Sequence, residues 1–404
     1  MDAARTRARA VSQPGSGYAT PAGCSPLLLP FPGLRYVPER SGALSTLLAP
    51  PHTELATQER ATLLASSPFV VTHLERPEYT VGGGARPAVL EWLRRGVLTQ
   101  DTPGFYVVEQ RAAGRAHRFL LGALVVGPLT DDRVYAHEAT IDEAVRSRQE
   151  RLRVTGVDSE PILLIDDDTG GTTSPGDYAA AAELIGSHVT HSDAGTAGVA
   201  VDVWLVKEPD IVERITRSMA ARRLLIADGH HRYAAVRASA AESGREQHVL
   251  VAISDRRSDP VELLALHRAL PQHGARALLR DAEVGPPQEF KGWHSLRARL
   301  AGLIEPSLLL VSGSEVRLVT PDIPTGAGAW VDDTLMRAGI DAHDVRYVAD
   351  LSGVAPVGTG MAVALLPTPD LAEVLQVARR GEVMGHKTTS FRPKPIAGAV
   401  MRLR

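Results

Sequence analysis

Leu224-Leu225-Ile226-Ala227-Asp228-Gly229-His230-His231-Arg232-Tyr233-Ala234-Ala235 reads as a short buried strand, a sharp turn and the start of a helix. An apolar strand feeding directly into a helix is a building unit of an α/β fold. Gly229 adopts positive φ without a Cβ penalty, so the chain can reverse there. Asp228 is placed to cap the helix that follows. The N-terminus of a helix exposes unpaired N–H groups and a partial positive charge, which suits an anion. His230, His231 and Arg232 add further donors at that same end. Like charges there repel unless an anion sits among them. Arginine grips phosphate oxygens through two parallel hydrogen bonds, and histidine donates to phosphate or moves a proton near neutral pH. A plain capped surface helix and a metal site are the competing readings, but two adjacent histidines need further ligands that this stretch lacks. A phosphate or nucleotide site is preferred.

Working outward, β-rich runs are expected at Phe69–Leu74, Phe105–Gln110, Phe119–Val126, Pro161–Ile165, Val199–Leu205, Val249–Ile253 and Leu263–Leu266. Helical periodicity marks Thr57–Leu64, Pro87–Arg95, Ile141–Leu152, Tyr178–Ile185, Pro209–Ala220, Leu296–Leu303 and Leu371–Ala378. The pattern gives an α/β protein of α+β, mixed-sheet type. Residues 1–24 form a flexible tail, 25–270 a first domain carrying the turn at Gly229, and 271–404 a second α/β portion. The basic segment near the C-terminus is expected to fold back toward that turn.

The chain has 404 residues and a formal net charge of −3 at pH 7, which gives no support for a nucleic-acid partner. Its single cysteine, Cys24, excludes an internal disulfide and a cysteine zinc cage, and fits a reducing cytoplasm. No apolar run is long enough for a membrane span. Lysine is scarce: Lys207, Lys291, Lys387 and Lys394 stand among 44 basic residues. A lysine retained in such a chain suggests a specific task. Lys387 and Lys394, with Thr388 and Thr389, make a cluster suited to phosphate oxygens.

Ile226 to Tyr233 resembles the signature of a prokaryotic family called domain of unknown function 1015. Four more segments resemble that family's motifs in order: Ala49-Pro50-Pro51, His137-Glu138-Ala139-Thr140, His267-Arg268, and Lys387-Thr388-Thr389-Ser390-Phe391-Arg392-Pro393-Lys394. The Asp-Gly-His-His-Arg core is also similar to the box of ParB-like and sulfiredoxin-like proteins, among them free-serine kinases. There the box binds phosphates and an acidic residue activates the serine hydroxyl. The resemblance therefore implies a ParB/sulfiredoxin-like portion plus a second α/β portion. The chain departs from the family at Thr53, where Glu54 is the displaced acid, at Ser147, and at Ala234. If the absent aspartates are catalytic, the departures imply altered substrate choice or loss of activity.

These readings lead to a phosphotransferase moving a phosphoryl group from ATP or ADP to a small hydroxyl-bearing metabolite, with Mg2+ bridging the phosphates. Asp228, Gly229, His230, His231, Arg232, Lys387, Thr388, Thr389 and Lys394 are the phosphate candidates. Glu138, His230 and His231 are the catalytic candidates, with Glu138 as base or magnesium ligand. His137, His267, Arg268 and Glu54 are further candidates. No metal ligand set is assigned, and a homo-oligomer is compatible with the sequence. Arg232→Ala is expected to abolish nucleotide binding without unfolding the chain. A ParB-like nucleotide-binding regulator and a degenerate phosphate-ligand binder are the alternatives. Asp166-Asp167-Asp168 reads as a solvated acidic turn rather than a metal site, and His188 and His191 as surface residues.

Overall fold

The computed structural model describes residues 25–404 apart from 52–53, 56, 76–84, 129–130, 168–173, 190–197, 323–325, 350, 352–353, 355–359 and 385–386. His191, Asp168, Thr53 and the Gly358-Thr359 pair lie outside the described residues, as does the 1–24 tail.

A mixed sheet of nine described strands organises the first part. Next to one edge, Leu224–Asp228 runs parallel to the edge strand Val134–Ala136 and antiparallel to Ile162–Asp166. Gln247–Asp255 continues the sheet, parallel to Ile162–Asp166 and antiparallel to Arg115–Val126. The strands Phe105–Ala112, Ala200–Val206 and Glu183–Val189 follow, each antiparallel to its neighbour. Successive side chains of a strand point to opposite faces. Leu163, Ile165, Leu225, Leu250 and Ala252 accordingly join one apolar cluster, and Ile162, Leu164, Leu224, Ile226, Val251 and Ile253 join another. Both faces are covered, which is why these runs are apolar throughout rather than alternating.

A second sheet of seven described strands is built around Leu308–Ser312, Met361–Leu365 and His267–Pro271. The helices Gln272–Arg280 and Ala327–Arg337 pack against each other beside it. The last residues return to the first part. Thr389–Arg392 pairs with Glu262–Ala265, and Met401–Leu403 inserts between Gly33–Tyr36 and Val157–Asp158. Arg402 and Arg404 reach Asp158 at 3.1 and 2.6 Å. Burial pushes the Asp158 carboxyl up, but the two arginines outweigh it and hold it below the usual range. This closing strand positions the lysine segment that precedes it.

Two expected elements differ. Phe69–Leu74 is not a strand: the chain turns and forms the short helix Thr72–Glu75. The Val71 N–H donates to the Leu47 carbonyl at 2.9 Å, so packing overrides the β-branched run. The helix expected over Tyr178–Ile185 occupies Pro175–Ala180, set by a capping box between Ser174 and Asp177. The chain is already extended over Glu183–Val189, where it pairs with Ala200–Val206. Asp166 and Asp167 are not a solvated turn either. Both are buried, with Arg222 3.4 Å from Asp166 and Arg256 3.4 Å from Asp167, which also binds Tyr135 at 2.5 Å and Arg379. No described helix is long and apolar enough to cross a membrane.

Candidate functional site

Gly229 sits where Leu224–Asp228 gives way to the helix His230–Ser243, at φ 97°. That conformation is strained for any residue with a Cβ. Asp228 does not cap the helix: the N-cap is Gly229, which makes no side-chain cap bond. Two cations hold the Asp228 carboxylate instead. Arg232 Nη2 donates to Oδ2 at 3.0 Å and Lys394 Nζ to Oδ1 at 2.6 Å. The four-residue spacing puts Arg232 over Asp228, and the returning C-terminal segment brings Lys394.

Arg232 is committed further. Its Nη1 donates to the Glu160 and Pro161 carbonyls at 2.8 and 3.1 Å, and Nη2 lies 2.9 Å from the Glu160 carboxylate. Its side chain is only 17% exposed. Lys394 also lies 3.5 Å from Glu54, which pairs with Arg392 at 2.6 Å. Burial alone lowers the Lys394 ammonium, but Asp228 and Glu54 prevail and keep it above its ordinary value.

His137 is buried behind the turn. Its Nδ1 faces the Ile226 carbonyl at 2.9 Å and its Nε2 the Thr389 hydroxyl at 2.8 Å. A carbonyl only accepts, so Nδ1 carries the proton and Thr389 donates to Nε2. Burial and then the neighbouring His230 push His137 down to about 3, so it is neutral near pH 7. The His137 and His230 rings meet edge to face at 4.6 Å. His231 Nε2 accepts the Ile141 N–H at 3.2 Å.

Glu138 and the Lys387 backbone are in direct contact. The Lys387 N–H donates to Glu138 Oε1 at 3.0 Å, and Glu138 Oε2 lies 4.0 Å from His230 Nδ1. Lys387 takes φ 50°, a left-handed backbone that is usually glycine's. Arg268 holds it there. That guanidinium is fully buried, grips Asp332 with bonds of 3.0 and 2.7 Å, and donates to the Lys387 carbonyl at 3.0 Å and the Leu266 carbonyl. Tyr347 lies against both cations, with Arg268 at 4.7 Å and the Lys387 ammonium at 4.2 Å from its ring centre. Burial lowers the Lys387 ammonium below its ordinary value. His267 bonds the Leu366 N–H through Nδ1 at 3.1 Å, and burial pushes it down to about 4.

These residues enclose a cleft of about 770 Å³. Asp228, Gly229, His230, His231, Arg232, Glu138, Glu54, Lys387, Thr389 and Lys394 all line it. His137, His267, Arg268 and Thr388 do not; the first three stand behind lining residues as supports. Arg60, Glu160, Arg346 and Tyr347 also line it, as does Arg148 next to Ser147, and none of them was a sequence-based candidate. No local pattern marks them, because each reaches the cleft through tertiary packing. Seven lysines and arginines line it against four carboxylates, an excess of three positive charges in a chain whose net charge is −3. Among the described residues no group of three or more metal-ligating side chains occurs. Magnesium commonly needs only one or two carboxylates plus ligand phosphates, and Glu138 fits that role.

A family model described as protein of unknown function (DUF1015) matches residues 28–290. No curated protein matches the chain. Among solved structures, a free serine kinase variant in complex with AMP is 17% identical, with 67% of this chain and 87% of that chain covered and a TM-score of 0.39. SbnI with a C-terminal truncation, from Staphylococcus aureus, is 12% identical, covering 68% and 85%, with a TM-score of 0.39. A conserved hypothetical protein from Pyrococcus furiosus is 16% identical, covering 68% and 91%, with a TM-score of 0.36.

Proposed function

The chain belongs to the DUF1015 family, and we propose that it acts as a nucleotide-dependent phosphotransferase on a small hydroxyl-bearing metabolite, a free hydroxy amino acid such as serine being the first candidate. The observation that carries this reading is the concentration of positive charge around Glu138, in a cleft of an otherwise acidic chain. A phosphorylated ligand gains most from such a site.

Lys387, His230 and His231 bind phosphate oxygens, helped by the N-terminus of the helix His230–Ser243. Gly229 leaves room for close approach of the backbone. Arg232 and Lys394 order Asp228 and Glu54 and add to the field. Thr389 stays fixed by His137. ATP or ADP is the donor, and magnesium, when bound, neutralises charge on the transferring phosphates. Glu138 removes the acceptor's hydroxyl proton. The acceptor oxygen then bonds to the terminal phosphorus as the bond to the bridging oxygen breaks, leaving ADP or AMP.

Incubation with labelled ATP or ADP, magnesium and a panel of hydroxy amino acids and polyols tests this. Label on one acceptor, lost in Glu138→Gln while nucleotide still binds, is the expected result. Label on no acceptor overturns it. A second reading, a phosphate-ligand binder without turnover, is favoured by one observation: Glu54, Asp228 and Glu160 are all held in ion pairs, which leaves few groups for proton transfer.

A further inference from the structure

A second cavity of about 730 Å³ adjoins the cleft. The two share the residues Glu54, Arg392 and Lys394 as a common wall. Their chemistry differs. Pro50, Pro51, Pro260 and Pro393 supply rigid apolar surface without N–H donors, and Ala116 and Ile396 extend it. Small-molecule sites commonly have this size and pair apolar walls with one or two placed polar groups.

The placed group here is His117. Its strand Arg115–Val126 lies opposite Phe105–Ala112, with His117 across from Gln110. His117 is 7% exposed and its ring packs on Phe119 at 4.5 Å. Its Nε2 is buried with no hydrogen-bond partner among the described residues. A buried polar atom left without a partner costs free energy, so it points to a ligand that completes it. Burial pushes His117 down to about 4, which makes the ring neutral near pH 7 and able to donate or accept one bond. The cavity's other charged groups are less suited to bind a zwitterion inside. Glu54 is paired with Arg392 and Lys394 in the shared wall, Asp259 is taken by the Arg118 N–H at 3.0 Å and by Ser258, and Arg115 and Glu262 are exposed.

We propose that this second cavity is a base pocket, holding the flat heteroaromatic ring of a nucleotide against its proline walls with one hydrogen bond to His117, while the phosphates lie in the adjoining cleft. The pocket's position beside the cationic cleft rests on the phosphate reading above; its choice of a neutral, flat, apolar-faced group rests on its own walls.

Calorimetric titration of the full chain with adenosine, ATP and inorganic tripolyphosphate separates the two. Ala116→Trp fills the cavity from an exposed hairpin position, and His117→Phe removes the ring nitrogens while keeping the packing on Phe119. The wild type should bind adenosine, and should bind ATP at least tenfold more tightly than tripolyphosphate. Both variants should lose adenosine and the ATP advantage, with tripolyphosphate affinity unchanged. ATP no tighter than tripolyphosphate in the wild type overturns the base pocket, as does an ATP advantage that survives Ala116→Trp. Failure of the phosphate cleft reads differently: tripolyphosphate then does not bind the wild type, while adenosine still binds and is still displaced by Ala116→Trp. If His117→Phe does not fold, Ala116→Trp alone decides.

Discussion

Arg232→Ala should unfold this protein well before it reports on ligand binding. The guanidinium is largely buried between two carboxylates, 2.9 Å from Glu160 and 3.0 Å from Asp228, and donates to two backbone carbonyls. Removing one partner from a buried ion pair leaves the other charge without compensation, at a cost of roughly 3–5 kcal/mol. Lys394 still reaches Asp228, so that carboxylate keeps one partner. Glu160 loses the guanidinium that lies 2.9 Å from its carboxylate, and two carbonyls lose donors worth about 1 kcal/mol each. The expected loss is therefore about 5–7 kcal/mol, comparable with the whole stability of an ordinary domain. Urea unfolding of the ligand-free wild type, Arg232→Ala and Arg232→Lys measures it. The lysine variant should recover part of the loss, because it restores charge without the two-pronged geometry. A loss under about 1 kcal/mol in Arg232→Ala, with ligand binding abolished, would refute the structural role and restore the sequence-based expectation of a stable, binding-deficient variant.

Gly229→Ala should cost about 2 kcal/mol in the same assay, since φ 97° strains any Cβ and an added one meets Arg232 Nη2 at 3.0 Å and Ile162 at 3.2 Å. An unchanged unfolding midpoint would contradict the turn. Lys387→Ala should weaken tripolyphosphate binding at least tenfold and alter stability by less than about 1 kcal/mol, because its ammonium's contact is the Tyr347 ring. Equal affinity in calorimetry would remove Lys387 from the phosphate site. Acid should destabilise the fold through His117, His137 and His267, whose values are lowered from 6.5 to about 4, 3 and 4. Unfolded histidines take up protons below 6.5 and the folded ones do not, so this contribution is complete above 6.5 and is lost as pH falls toward about 4. Between pH 6.5 and 5.5 the three together should cost about 3 kcal/mol, seen as a falling urea midpoint. A midpoint flat over that interval would mean that these rings are not buried neutral.

The strand and turn at Gly229 were legible because an apolar run, a glycine and a cluster of basic residues are local signals. The scarcity of lysine singled out Lys387 and Lys394 for a specific task, the segment was expected to fold back toward the turn, and Lys394 does reach Asp228. Other features carried no local mark. Glu160 looks like any acid before a proline, yet its carboxylate and carbonyl both serve Arg232. Asp166 and Asp167 looked solvated because the arginines that bury them lie far away in sequence. Arg268 stood in a recognisable motif, but nothing in that motif said that it would be fully buried and would hold the Lys387 backbone rather than a ligand. The expected cap at Asp228 failed for a similar reason: two cations brought by the fold outcompete the helix N–H groups for one carboxylate.

A crystal structure of the chain grown with ADP and magnesium shows most directly where phosphate sits. The predicted result places phosphate oxygens about 3 Å from Lys387 Nζ and from the first turn of the helix beginning at His230, with Glu138 facing the position of an acceptor. Phosphates bound elsewhere, with the cleft between Glu138 and Lys387 holding only water, would contradict it.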